Sequence, residues 1–126
     1  MRILWITENY YPGRGGMAQS CDRIVQALRT HSVQIDLVHF TGHLQSQPKI
    51  EMQFNGRYIA WPVGQDAPHA INCLWNWIEA DSHANEWTHV VAFGGLLPMQ
   101  AAPVFAAWLG LPLITFVRGN DFDAAL

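Results

Sequence analysis

Hydrophobic and polar positions along this chain alternate between two periods. Inside Arg2–Thr7 the run Ile3-Leu4-Trp5-Ile6 is unbroken and apolar, the pattern of a strand buried on both faces of a parallel sheet. Glu8–Gly16, with Pro12, Gly13, Gly15 and Gly16, reads as a loop. From Met17 the spacing lengthens. Met17, Cys21, Ile24, Val25 and Leu28 share one helical face, and Asp22, Arg23, Gln26 and Arg29 fall elsewhere. Val33–Phe40 returns to a strand pattern, closing one strand–helix–strand unit.

After a polar loop, Thr41–Pro48, two extended runs, Lys49–Phe54 and Arg57–Pro62, flank Asn55-Gly56. That dipeptide predicts a hairpin with positive φ at both residues, the hairpin or its second half lying at the sheet edge. Asp66 to Asp81 predicts a second helix, with Ala67, Ile71, Leu74, Trp75 and Ile78 on its apolar face and Asp66 as its N-cap. His83–Trp87 is a connector and Thr88–Phe93 a buried strand ended by Gly94-Gly95. Pro98–Leu109 predicts a third, almost wholly apolar helix, stopped by Gly110. Leu113–Val117 is a last strand, and Phe122–Leu126 has the look of a further element beginning. Buried strands alternating with helices predict an open, mostly parallel, Rossmann-like α/β sheet with helices on both faces and an edge β-hairpin. Residues 1–126 contain no repeat or linker, so a single domain is expected.

Composition narrows the classes of function. Half of the residues are apolar and 13% are charged, which excludes a disordered chain. Seven scattered basic residues, only one of them a lysine (Lys49), against ten acidic ones leave no basic stripe for nucleic acid. Cys21 and Cys73 fall in predicted helices and suggest reduced thiols, as in a cytoplasmic protein. The first apolar run stops at Thr7-Glu8, too early for a signal-peptide core.

In such sheets ligands bind beyond the carboxyl ends of the strands, so three loops are candidates: Glu8–Gly16, Gly94–Leu97 and Arg118–Asp121. Gly15-Gly16 directly precedes a helix whose first N–H groups and partial positive charge suit a phosphate; equally, the glycines could serve only as a tight entry to that helix. Gly13-x-Gly15-x-x-Ala18 matches the dinucleotide fingerprint in form. It starts too late after the strand, however, and Phe40-Thr41 stands where the ribose-binding acid belongs. Arg118 beside Asp121 suits an anionic ligand or a turn-shaping ion pair. His39, His43, Glu79 and His83 read as ordinary surface, while Trp77 lies off the core face of its helix, placed either to touch a partner or a membrane interface or to be one of the single exposed aromatics common on surfaces.

The run Arg2-Ile-Leu-Trp-Ile-Thr-Glu-Asn-Tyr-Tyr-Pro12, followed by Gly15-Gly16-Met17 and the helix ending Gln26-Ala27-Leu28, resembles the opening of group 1 (family 4) glycosyltransferases of the GT-B fold. Asn55-Gly56-Arg-Tyr-Ile-Ala-Trp-Pro62 is similar to their mid-domain hairpin, and Gly110-Leu-Pro-Leu-Ile-Thr-Phe-Val-Arg-Gly-Asn-Asp121 to the strand and loop that follow. The resemblance implies the N-terminal, acceptor-side domain of a retaining enzyme. Such an enzyme moves a sugar from a nucleotide-sugar to the hydroxyl of an acceptor glycan or glycolipid, without a metal or other cofactor. It implies that Gly15, Gly16 and Met17 approach the donor diphosphate, that Arg118 and Asp121 border the reacting sugar, and that Glu8, Asn9, Gly94, Gly95, Gly119 and Asn120 line the acceptor side. Many relatives carry histidine where Arg118 stands, so a histidine's role does not transfer. The donor-binding C-terminal domain is expected to be absent from these 126 residues and the chain alone to be inactive. Contact with the inner membrane face and self-association through surface meant for that domain are compatible with this reading. The alternative is a stand-alone α/β module that binds a nucleotide, a phosphate or a protein without catalysis.

Overall fold

The computed structural model describes residues 1–8, 10, 15–42 and 47–117. Their elements run β1 (Arg2–Thr7), α1 (Gly16–Thr30), β2 (Gln34–Thr41), β3 (Lys49–Gln53), β4 (Gly56–Pro62), α2 (Ala67–Ala80), a 3-10 turn (Ala84–Glu86), β5 (His89–Phe93), α3 (Leu96–Leu109) and β6 (Leu113–Phe116). The six strands form one sheet in the order β3-β4-β2-β1-β5-β6. Only the β3/β4 pair is antiparallel. This is the expected Rossmann-like α/β class, with helices on both faces.

Two cores follow from the alternation of side chains along the strands. On one face Ile3, Trp5, Ile35, Leu37, Val91 and Phe93 pack under α1 through Cys21 and Val25. On the other, Leu4, Ile6, Val38, Ile59, Val90 and Ala92 pack under α2 and α3 through Leu74, Ile78 and Phe105. A six-residue strand buried at every position, as β1 is, belongs only in the middle of such a sandwich.

The helix ends obey their local chemistry. The Asp66 carboxylate caps α2 by accepting from the His69 N–H at 3.0 Å, and Gly110 ends α3 in the left-handed conformation at φ 69°. α3 begins at Leu96 rather than at Pro98, because a proline in a first turn lacks only an N–H that would be unpaired there anyway.

Several expectations need correction. β3 ends at Gln53 and Gly56 already pairs with it, so the two-residue turn is Phe54-Asn55, one position earlier than expected. Positive φ does occur at Asn55 and Gly56. β3 is the edge strand and β4 lies inside the sheet. Arg29, on the polar side of its predicted helix, is buried at 1% exposure. Its Nη2 donates to the carbonyls of Ile35 and Arg57 at 2.7 and 3.1 Å, clamping the hairpin to the end of α1. Trp77 does not stand free: the Arg57 guanidinium lies 5.5 Å over its ring and Trp61 packs beside it. β6 is well exposed at Leu113 and Ile114, unlike the other parallel strands. Among the described residues no helix is long and apolar enough to cross a membrane.

Candidate functional site

The sheet order reverses between β1 and β5. α1 leaves β1 toward β2 over one face, and α3 leaves β5 toward β6 over the other. Loops part at such a point and leave a crevice beyond the strand ends. Two helix N-termini, those of α1 and α3, open onto it.

They differ in what fills them. At α3, Gly94 and Gly95 take φ 52° and 86°, and the Glu8 carboxylate crosses from the end of β1 to accept the Leu96 N–H at 2.7 Å. A Cβ on Gly95 would overlap that carboxylate. A glutamate at a helix N-terminus satisfies an orphan donor and complements the dipole. Glu8, Gly94 and Gly95, all expected on the acceptor side, are thus brought together, with Glu8 acting as the cap of α3.

At α1 the N-cap residue is Gly15, at φ 133°, which brings no side chain, and the first turn holds no acidic residue. A Cβ built on Gly15 or Gly16 would meet nothing within 4 Å among the described residues beyond its chain neighbours. Gln19 N–H donates to Gly15 O at 3.1 Å, closing the first turn on the cap residue. The N–H groups of a helix's first turn have no partner within the helix itself. The half-buried Met17 side chain packs against the core on the α1 side and lines a small cavity with Ile24, Phe93 and Phe116.

Beside α1 lies a polar cluster that sequence reasoning missed. Tyr10, at 5% exposure, donates to Asp22 Oδ1 at 2.8 Å and stacks on Tyr58 at 5.6 Å. Tyr58 shares a 2.8 Å hydrogen bond with His39 Nδ1. His39 is therefore a core histidine at 3% exposure, not surface. Burial, and then the Asp22 carboxylate, push the Tyr10 phenol well above its ordinary range and keep it protonated. The cluster holds Tyr10, which lies between β1 and α1, against α1 and the sheet. The alternation of the strands was its one legible signal: His39 falls on the same face as Ile35 and Leu37.

Cys21 and Cys73 are both free thiols, as expected. Burial pushes the Cys21 thiol up to about 11, so it is chemically quiet. Cys73 stands 3.5 Å from His69 Nε2 on the wall of an open pocket of about 720 Å³ at the carboxyl end of β4, with Trp61, Pro62, Gln65 and Asp66. β4 is two strands from β1, about 10 Å at the usual spacing. His83 contacts Glu86 rather than Glu79. Among the described residues no three His, Cys, Asp or Glu side chains gather as a metal site would require. Asn9, Arg118, Gly119, Asn120 and Asp121 lie outside the described residues. No protein-family model matches this chain, and no curated protein matches it.

Proposed function

We propose that this domain is the acceptor-side half of a retaining glycosyltransferase, which transfers a sugar from a nucleotide-sugar to an acceptor hydroxyl without a metal. One observation carries the reading beyond the motif resemblance. The crevice at the switch point holds two helix N-termini, and among the described residues only that of α3 receives a carboxylate, Glu8. Gly16 has no positive φ and, among the described residues, no neighbour within 4 Å of an added Cβ. Close approach of a ligand to the backbone explains a glycine there; packing among the described residues does not.

Breaking a sugar–phosphate bond places negative charge on the departing diphosphate. Backbone N–H groups of Gly16 and Met17 and the α1 dipole are suited to stabilise it. The acceptor would enter from the pocket at Trp61 and Asp66, alongside the Glu8 and Gly94–Gly95 wall. Arg118 and Asp121 would border the reacting sugar, with Asn9, Gly119 and Asn120 near the acceptor. Excluding water and gripping the nucleotide call for a second, opposing domain.

Two results are expected. The 126-residue chain alone, given labelled nucleotide-sugars and glycan acceptors, transfers no sugar and binds nucleoside diphosphate weakly. Tight nucleotide binding without transfer would instead favour the stand-alone binding module. In the protein joined to its donor-binding domain, Gly16→Ala stabilises α1 by about 0.4–1 kcal/mol, because alanine has fewer unfolded conformations to lose. The added methyl nevertheless lowers transfer at least about ten-fold, a loss of ~1.4 kcal/mol of transition-state stabilisation. Full transfer by a more stable Gly16→Ala protein would remove the diphosphate from this site.

A further inference from the structure

We propose that the protein forms a two-fold dimer by antiparallel pairing of β3 with the β3 of a second copy, in a register centred on Ile50. β3 has β4 on one side and no strand on the other among the described residues. Its backbone is set for pairing. Val63 N–H donates to Thr41 O, and Asn55 O accepts from Ile35 N–H. The odd-numbered residues of β4 therefore turn their N–H groups toward β2, and the even-numbered ones toward β3. Their partners Lys49, Glu51 and Gln53 face inward, which leaves the N–H and C=O groups of Ile50 and Met52 directed out of the sheet.

The side chains select the register. Ile50 lies opposite Ile59 on the α2 side of the sheet and is 46% exposed, and Met52 on the same side is 77% exposed. Lys49 and Glu51 share the α1 side, where they form an exposed 3.3 Å pair. An edge lysine ordinarily discourages pairing. With the two-fold axis at Ile50, however, Lys49 of each copy stands opposite Glu51 of the other, giving two ion pairs on one face. On the other face Ile50 meets its own copy and Met52 meets Pro48. The Ile50 groups exchange two backbone hydrogen bonds, and each Met52 N–H reaches a Pro48 carbonyl. Centring on Glu51 would pair Ile50 with Met52 through the same outward backbone groups, but it would set two carboxylates together. Centring on Met52 would leave Lys49 and Glu51 opposite uncharged residues.

The test is sedimentation equilibrium of the protein at low salt. A dimer is expected. Glu51→Lys and Lys49→Glu each place like charges opposite one another in both pairs and should weaken it about ten-fold or more, and the double charge swap should restore it. Lys49 and Glu51 are both exposed, so circular dichroism should not change, nor should melting at concentrations low enough to keep wild type monomeric. A monomer at all concentrations, a dimer indifferent to the single charge changes, or a double swap no tighter than the singles would each overturn the proposal.

Discussion

Replacing Asp36 with asparagine is expected to destabilise the fold by about 3–5 kcal/mol, the usual consequence of breaking a buried ion pair, and to lower the melting temperature by about 10 °C or more. The Asp36 carboxylate is fully buried. It accepts from Arg2 Nε and Nη2 at 2.7 and 2.9 Å, from Arg57 Nε and Nη2 at 3.0 and 3.1 Å, and from Trp87 Nε1 at 2.9 Å. These bonds tie β1, β2, β4 and the segment before β5 together at the end of the sheet opposite the candidate site. An amide would aim its own N–H donors at guanidinium donors and leave two buried cations short of charge.

The same carboxylate predicts an acid response. Burial pushes it up, but the hydrogen bonds from Arg57, Arg2 and Trp87 outweigh burial and hold it at about 2, against an ordinary 3.8. Asp81 is also held low: burial raises it, and its bonds to Arg57 and the His83 N–H overcome that. A carboxyl depressed in the folded state contributes stability that is complete above its unfolded value and lost as pH falls through the folded one. The loss should therefore fall between about pH 4 and pH 2, with Asp36 accounting for about 2 kcal/mol of it. Denaturant titrations across that range should show a shallower acid slope for Asp36→Asn than for wild type; identical slopes would show that this carboxylate is not the acid-sensitive group.

Gly56→Ala is expected to cost at least about 3 kcal/mol, through strain and overlap together. Gly56 has φ 145° and stands in register with Ile35 of β2. A Cβ there would fall on the Ile35 carbonyl oxygen and within 2.6 Å of its carbon. Backbone cannot rotate aside, so the hairpin would have to leave β2 and give up the 2.9 Å bond from Ile35 N–H to Asn55 O. Gly110→Ala is the control: its φ is also positive, at 69°, but among the described residues nothing lies within 4 Å of an added Cβ. Its cost should stay near ~1 kcal/mol. Equal losses in the two variants, measured by chemical denaturation, would mean that overlap with β2 is not what Gly56 prevents.

Much of the site's frame was legible beforehand. Gly15-Gly16 stood out because a glycine pair between a strand and a helix acts through local backbone geometry. The capping of α3 by Glu8 was not legible, since it joins residues 88 apart in the chain. The Tyr10–Asp22 and His39–Tyr58 contacts likewise need α1, β2 and β4 already in place.

Strand and helix identity came from the sequence by itself, because the periods of 2 and 3.6 are properties of neighbouring residues. So did the caps at Asp66 and Gly110, which act within one turn. Tertiary structure decided which strand became the edge, which half of the hairpin faced β2, and which charges were buried. Asp36 and Arg29 read as ordinary polar positions until the register of β2 with β4 set Asp36 beside Arg57 and brought the Ile35 and Arg57 carbonyls to Arg29. A buried charge is tolerated only where its partners converge, and convergence is a property of register between distant segments.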